Sequence, residues 1–506
     1  MKKIIDNTIK SRTYDVIVIG SGGGSKITRP AANLGLKVAI VDMGRLGGTC
    51  LNHGCIPSKM LIHPADLVVE SEEASRVDVY FEKPKIDFDK LVARVTKTID
   101  DESDSIKPVY EKHKNIDLYE GKARFIDNHR VSVCLNNPKP ENEKNGFANK
   151  TSESDVILFG KKIVFCAGAK PMIPSIPGLE GTPYWTYKEA LRPVTQPASL
   201  IVLGGGYIGS ELGHFYGSVG TNVSFILRSE FLRPEDDEIK HQFNKAFSKR
   251  FDSYYNSEVT KIEYRLNMFY VTFSFMSRTV EAAATLTSRK EITLVSTNLL
   301  VATGVVPNTS DVGIENTTIQ LNKQGYVRVD STLRTAEKHI WSFGDVVGNF
   351  KFRHSANFEG DYVFNQMFGK KGSGIDEKNG KPLVYPAMPH AVFTHPQIAA
   401  VGPTENSLKS EEIVVGRNFY KHSAMGMALL PKVGFVKLIF DKKSKALLAG
   451  HIIGKEAATM IHMVIAYIEM KATINDMKKM IYIHPALPEN VRNAVRDAAK
   501  KFEGDI

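Results

Sequence analysis

Two stretches of this chain share one grammar. Asp15-Val-Ile-Val-Ile-Gly20 is a short apolar run of β-type residues that passes at once into Gly20-Ser-Gly22-Gly-Gly24-Ser25. Far downstream, Ser199-Leu-Ile-Val-Leu passes into Gly204-Gly-Gly206-Tyr207-Ile-Gly209-Ser-Glu211. A strand that runs through a glycine turn into a helix presents backbone N–H groups at the helix N-terminus, the geometry that receives a pyrophosphate. The second fingerprint is a complete G-x-G-x-x-G, whereas the first has Ser25 where its third glycine belongs, which loosens the expected helix–strand contact. Each turn is followed by another strand. GLKVAIVD ends in Asp42, about 20 residues on, where a carboxylate can hold an adenosine ribose. GTNVSFIL ends in Leu227, where an NAD pocket would want an acid, and Arg228 and Arg233 follow. A carboxylate accepts from a ribose 2′-hydroxyl, but guanidinium groups suit a 2′-phosphate.

A chain of 506 residues is long enough for about three domains. No apolar run approaches the roughly 20 residues of a membrane-spanning helix, and MKKIIDNTIKSRTYD lacks the apolar core of a secretory signal. The net charge of +10 is spread without a basic run of the nucleic-acid-binding kind, so a solvated basic surface is expected and neither nucleic acid nor membrane is a partner. Four cysteines are too few for a disulfide-stapled secreted scaffold. A reducing, cytoplasmic setting fits.

Two of the four cysteines fall in GGTCLNHGCIPSK, residues 47–59. The spacing of Cys50 and Cys55 is not that of a structural zinc site, and no metal is expected. In an ideal helix their Cα atoms would lie about 8 to 9 Å apart, beyond the roughly 7 Å that a disulfide spans. Gly54 can let the backbone distort to close that gap. The stretch suggests a redox disulfide, and the two nucleotide turns supply its redox partners. Cys134 and Cys166, each in an apolar stretch, read as buried hydrophobes.

Together these motifs resemble the class I flavoprotein disulfide reductases, the pyridine nucleotide–disulfide oxidoreductase family that includes dihydrolipoamide dehydrogenase, glutathione reductase and mycothione reductase. GGTCLNHGCIPSK resembles the family's redox-active motif. Leu333-Arg-Thr-Ala-Glu-Lys-His-Ile-Trp-Ser-Phe-Gly344-Asp345 is similar to its second FAD motif, with Asp345 on the ribitol. Phe165-Cys-Ala-Gly168 and Val301-Ala-Thr-Gly304 resemble its crossover strands, and His484-Pro-Ala-Leu-Pro-Glu489 its catalytic His–Glu pair. The resemblance implies an α/β fold with two Rossmann-like dinucleotide-binding domains and a C-terminal α+β dimerisation domain. FAD would be held by residues 1–180 and 306–386, NAD(P) by residues 181–305, and a second subunit by residues 387–506.

The family pattern further implies roles. Gly20, Gly22, Gly24, Asp42, Gly48, Thr49, Lys59, Gly168, Gly344 and Asp345 would hold FAD. Gly204, Gly206, Tyr207, Gly209, Arg228, Arg233 and Gly304 would hold NADP or NAD, with Tyr207 as a lid over the nicotinamide. Cys55 would face the flavin and Cys50 the substrate, while Lys59 would pair with Glu211. His484, oriented by Glu489, would serve the disulfide of the partner subunit in a homodimer. Val305, where the family usually has arginine, and His53 depart from the pattern. The apolar Met60-Leu-Ile62 after Lys59 favours a lipoyl-like arm and a dihydrolipoamide dehydrogenase-like enzyme. The arginines after Leu227 favour the alternative, an NADPH-dependent reductase of a low-molecular-weight thiol disulfide of the mycothione or glutathione type. A mercuric reductase or large thioredoxin reductase is disfavoured, because DAAKKFEGDI carries no cysteine pair. A non-enzymatic flavoprotein switch would not need His484 and Glu489. Segment 265–295 reads as β-hairpin material, and the polar run from Asn136 as an exposed insertion.

Overall fold

The computed structural model describes residues 12–136, 156–281, 284–369 and 381–504. The polar insertion expected from Asn136 lies, beyond that residue, outside them. The described residues within Met1–Pro57, Thr96–Pro171 and Val305–Val384 form one unit, and those within Ser58–Val95, Met172–Gly304 and Tyr385–Ile506 a second.

In the first unit the apolar runs form a parallel sheet in the order Ile116–Phe125, Val38–Asp42, Arg12–Ile19, Val156–Phe165, Ile340–Ser342. Arg130–Leu135 lies antiparallel between Ile116–Phe125 and Val156–Phe165. Val16, Ile17 and Val18 are fully buried in succession, the mark of a strand covered on both faces. Gly20 caps the helix Ser21–Asn33 with φ of +104°, and a Cβ there would come within 2.5 Å of the Cys166 carbonyl oxygen. Only glycine meets both demands. The close helix–strand contact falls on Gly24, where a Cβ would strike Val18 at 2.5 Å. Ser25 instead turns its hydroxyl onto the Gly22 carbonyl at 2.9 Å, so its side chain does not obstruct the contact.

The second unit repeats the device. Asn298–Val301, Ser199–Leu203, Asn222–Ile226 and Asp252–Tyr254 form a parallel sheet in that order. Gly204 has φ of +107°, and its Cβ would meet the Ala302 carbonyl oxygen at 2.5 Å, just as Gly20 does with Cys166. The helix Tyr207–Ser218 follows. The expected hairpin is part of a three-stranded antiparallel sheet, Ser257–Arg265, Met268–Glu281 and Ala284–Ser296.

The C-terminal part of this unit is a five-stranded antiparallel sheet in the order Pro389–Val392, Ile398–Val401, Leu447–Ile453, Phe435–Asp441, Ile413–Phe419. The helices Ala457–Glu469 and Glu489–Glu503 pack on it, burying Val464, Val491 and Ala494 against Leu438 and Ile452. Two nucleotide-type α/β sheets and a C-terminal α+β sheet make up the expected fold class.

Candidate active site

In the first unit the cysteine segment is not one helix. Gly48–His53 and Cys55–Glu73 are separate helices, broken at Gly54 (φ −148°, ψ −119°), so the two cysteines are freed from ideal helical spacing. Cys50 is half-buried and Cys55 exposed, and their side chains lie within hydrogen-bond reach of each other. That hydrogen bond, with burial and the neighbouring Cys55 charge, pushes the Cys50 thiol well above its usual range, and Arg353 pulls the other way. Cys55 opens a 19-residue helix, and its backbone N–H donates to Cys50, which also works against that rise.

The turn before the cysteines is held by Asn52, which sequence reasoning missed. Its amide donates to the carbonyls of Arg45, Leu46 and Gly48 at 3.2, 2.9 and 3.1 Å. Gly47 N donates to Ser21 Oγ at 2.9 Å, and Ser21 N to Asp42 Oδ2 at 2.7 Å. Asp42 thus closes the first glycine turn through the backbone, and each of its oxygens keeps a second lone pair for a ribose hydroxyl. A Cβ on Gly48 would lie 2.6 Å from the Gly22 Cα, so the glycine turn and the segment carrying Thr49 and Cys50 approach backbone to backbone.

Gly168 and Gly344 both have positive φ. Gly344 N donates to the buried Glu359 at 2.7 Å, and burial pushes the Asp345 carboxyl above its usual range. This cradle fits FAD. Its backbone donors at the N-terminus of Ser21–Asn33 suit the pyrophosphate, and the acid Asp42 stands at the end of the second strand.

In the second unit, Lys59 Nζ lies 2.7 Å from Glu211 Oε2 and 4.3 Å from the centre of the Phe393 ring. Phe393 N donates to the other oxygen of Glu211 at 2.9 Å. Tyr207, one turn before Glu211 on the same helix face, donates its hydroxyl to Glu235 Oε1 at 2.7 Å and stacks on His390. Gly206 and Gly209 complete that turn, and a Cβ on Gly209 would lie 2.3 Å from Gly204 O. Gly304, with φ of +123°, accepts at its carbonyl from Met172 N. Leu227 is buried, whereas Arg228 and Arg233 are exposed and among the described residues neither is paired with an acid. This turn and its two cations fit a phosphorylated nicotinamide coenzyme.

His484 and Glu489 are brought together at the start of the helix Glu489–Glu503. His484 Nδ1 lies 3.0 and 3.1 Å from the two Glu489 oxygens, which also accept from Ala486 N at 3.2 Å and pair with Arg492 at 2.7 Å. The hydrogen bond from His484, with those from Ala486 and the charge of Arg492, holds the buried Glu489 carboxyl below its usual range against the effect of burial. The His484 side chain is 67% exposed, so with Nδ1 committed to Glu489 its Nε2 is the nitrogen left for chemistry. Among the described residues no group of three His, Cys, Asp or Glu could hold a metal ion, and no helix is long and apolar enough to cross a membrane.

A cysteine pair at a helix start, two nucleotide turns and an oriented histidine define a flavoprotein of the disulfide-exchanging class. The chain matches the family described as pyridine nucleotide-disulphide oxidoreductase over residues 14–360 and that family's dimerisation domain over residues 388–495. Among curated relatives, a dihydrolipoyl dehydrogenase of Buchnera aphidicola subsp. Schizaphis graminum is 31% identical over 97% of this chain and 96% of its own. A dihydrolipoyl dehydrogenase 3 of Haloarcula marismortui is 29% identical over 96% and 97%. Among solved structures, an HOCl-induced flavoprotein disulfide reductase, RclA from Escherichia coli, shares the fold with a TM-score of 0.76, covering 96% of this chain and 99% of that one at 24% identity.

The chain belongs to the pyridine nucleotide–disulfide oxidoreductases. It is an FAD-dependent, NAD(P)H-linked disulfide oxidoreductase that carries the family's dimerisation domain.

Proposed function

We propose that this enzyme is dihydrolipoamide dehydrogenase-like, working between a nicotinamide coenzyme and a lipoyl-type dithiol or disulfide through Cys50 and Cys55. The observation that carries this reading is the helix break at Gly54, which frees the two cysteines from helical spacing and sets Cys55 at a helix N-terminus. Relatives named dihydrolipoyl dehydrogenase, aligned over nearly the whole chain, and the apolar Met60-Leu-Ile62 after Lys59 support the substrate class.

Cys50 exchanges with a substrate sulfur, and Cys55 keeps the second thiolate. His484 of the partner subunit takes or gives the thiol proton at Nε2, with Glu489 fixing its tautomer through Nδ1. Lys59, neutralised by Glu211, places an ammonium one turn beyond Cys55. FAD, when bound, supplies the two-electron carrier between nicotinamide and sulfur. Tyr207 lies over the nicotinamide pocket. Residues 1–180 with 306–386, 181–305 and 387–506 serve as the FAD, coenzyme and dimer domains. The setting is a reducing, cytoplasmic one that keeps the thiols available.

A second reading, an NADPH-driven reductase of a small thiol disulfide, is favoured by Arg228 and Arg233 beside the buried Leu227. Anaerobic reduction with NADH and NADPH, followed by turnover with lipoamide and a panel of small disulfides, separates the two. Turnover confined to lipoamide supports the first. Turnover of small disulfides alone, with NADPH preferred, overturns it.

A further inference from the structure

The five-stranded sheet carries a row of basic side chains. His390 pairs with Ala400, Ala400 with His451, His451 with Lys437, and Lys437 with Arg417. Directly paired residues share a face, so His390, His451, Lys437 and Arg417 line one edge-to-edge row. Against it stand Glu235, Asp236 and Glu238, at the start of the helix Asp237–Phe247, and Glu405. Lys437, 2% exposed, lies 2.8 Å from Asp236 and 2.7 Å from Glu238, and Arg417 reaches Glu238 at 2.9 Å and Glu405 at 2.8 Å. Asp236 also accepts from Glu405 N at 3.1 Å.

Fixing Asp236 in this way fixes its neighbour. The Glu235 carboxylate is fully buried and lies 2.8 and 3.0 Å from His390 Nε2. Its Oε1 accepts the Tyr207 hydroxyl at 2.7 Å, and the Tyr207 ring stacks on the His390 ring with centroids 5.7 Å apart. Leu232 N bonds to Gly205 O at 2.8 Å, so the segment leading to Glu235 is tied back to the glycine turn. One turn along the same helix, Glu211 is bound by Phe393, just beyond the strand that carries His390.

We propose that Glu235 and His390 are positioning residues that latch the Tyr207 phenol at the coenzyme turn and so set how readily a nicotinamide displaces it. The inference rests on the reading of Tyr207 as the residue over the nicotinamide pocket. For the coenzyme to enter, the phenol swings away and its hydroxyl leaves Glu235. A hydrogen bond to a charged group is lost in that step, which lowers apparent coenzyme affinity by roughly tenfold or more.

The test is anaerobic stopped-flow reduction of the holoenzyme by its coenzyme, giving a half-saturating concentration and a limiting rate. Tyr207→Phe and His390→Ala should each lower half-saturation roughly tenfold, and His390→Ala should leave the limiting rate and the bound-flavin spectrum unchanged. The double variant should go no further than either single one, and His390→Gln, which keeps a donor to Glu235, should restore the parental value. Should His390→Ala not yield holoenzyme, Glu235→Leu, which removes the acceptor for the phenol, completes the same cycle. Effects that multiply in the double variant would overturn the latch, as would an unchanged half-saturation in Tyr207→Phe. Tyr207→Ala separates the two levels. If it leaves both parameters unchanged the lid reading fails, whereas if it shifts them and His390→Ala does not, the latch alone fails.

Discussion

Lys437→Met should be among the most destabilising single changes in this enzyme. The ammonium is 2% exposed, and the Asp236 carboxylate it touches is 1% exposed. Burial opposes the charge, but hydrogen bonds to Asp236, Glu238 and Glu405 still hold the Lys437 pKa above its ordinary value. Methionine matches the length of the stem and removes the cation, leaving Asp236 buried and uncompensated. Removing one partner of a buried pair costs about 3–5 kcal/mol, which for a domain of this size is on the order of 10 °C in Tm. Asp236 supplies a sign test. Burial raises its pKa, but the hydrogen bond and charge of Lys437 outweigh that and hold it below the usual carboxylate range. In the parent, its contribution to stability is therefore present above the unfolded pKa and is lost as pH falls through the folded one. In the variant the same carboxyl is raised, so the defect should be largest near neutral pH and shrink as pH falls toward 5. Thermal unfolding of both proteins, followed by circular dichroism at several pH values, measures this. A defect under about 1 kcal/mol, or one independent of pH, would refute the reasoning.

Other outcomes follow from the site. Cys50→Ser should keep the long-wavelength absorbance of a thiolate beside oxidised flavin and lose disulfide turnover, whereas Cys55→Ser should lose both; parental turnover in Cys50→Ser would reverse the assignment. His484→Gln should slow the thiol–disulfide half-reaction by roughly 10²- to 10⁴-fold, with flavin reduction by coenzyme nearly intact, as rapid-mixing kinetics of the two halves would show. Replacing both Arg228 and Arg233 by leucine should lower kcat/KM for NADPH about a hundredfold and leave NADH nearly unchanged; equal loss with both coenzymes would count against a 2′-phosphate site.

What the sequence made legible is local. The two glycine turns, the cysteine pair and His484-Pro-Ala-Leu-Pro-Glu489 each carry their chemistry within a dozen residues or so, where turn geometry and helix N-termini leave few alternatives. Even there, one detail needed three dimensions. The fingerprint placed the helix–strand contact at position 25, but Gly24 faces Val18 because of how the helix Ser21–Asn33 is rotated on the sheet. Asn52 and Arg353 carried no signal, since an asparagine in a glycine-rich turn and an arginine in a polar stretch are each compatible with open solvent.

The acidic run Glu235-Asp-Asp-Glu238 shows why the remainder stayed hidden. Four acids straddling the start of an amphipathic helix are compatible with a solvated N-terminus, favoured by the helix dipole alone. Asp237 does face solvent, and Asp236 does cap the helix through Glu238 N at 3.1 Å. Yet Glu235 and Asp236 are buried, because their partners arrive from 155 and 201 residues away. Those partners come into line through strand register: a one-residue slip of Leu447–Ile453 or Phe435–Asp441 would turn His451 or Lys437 to the opposite face. The acids would then be left in a cavity without a cation. The charge row thus makes the register of the C-terminal sheet and the placement of Glu235 interdependent. A lid held through Glu235 is accordingly only as well positioned as Lys437 allows, so Lys437→Met should shift coenzyme half-saturation in the same direction as His390→Ala.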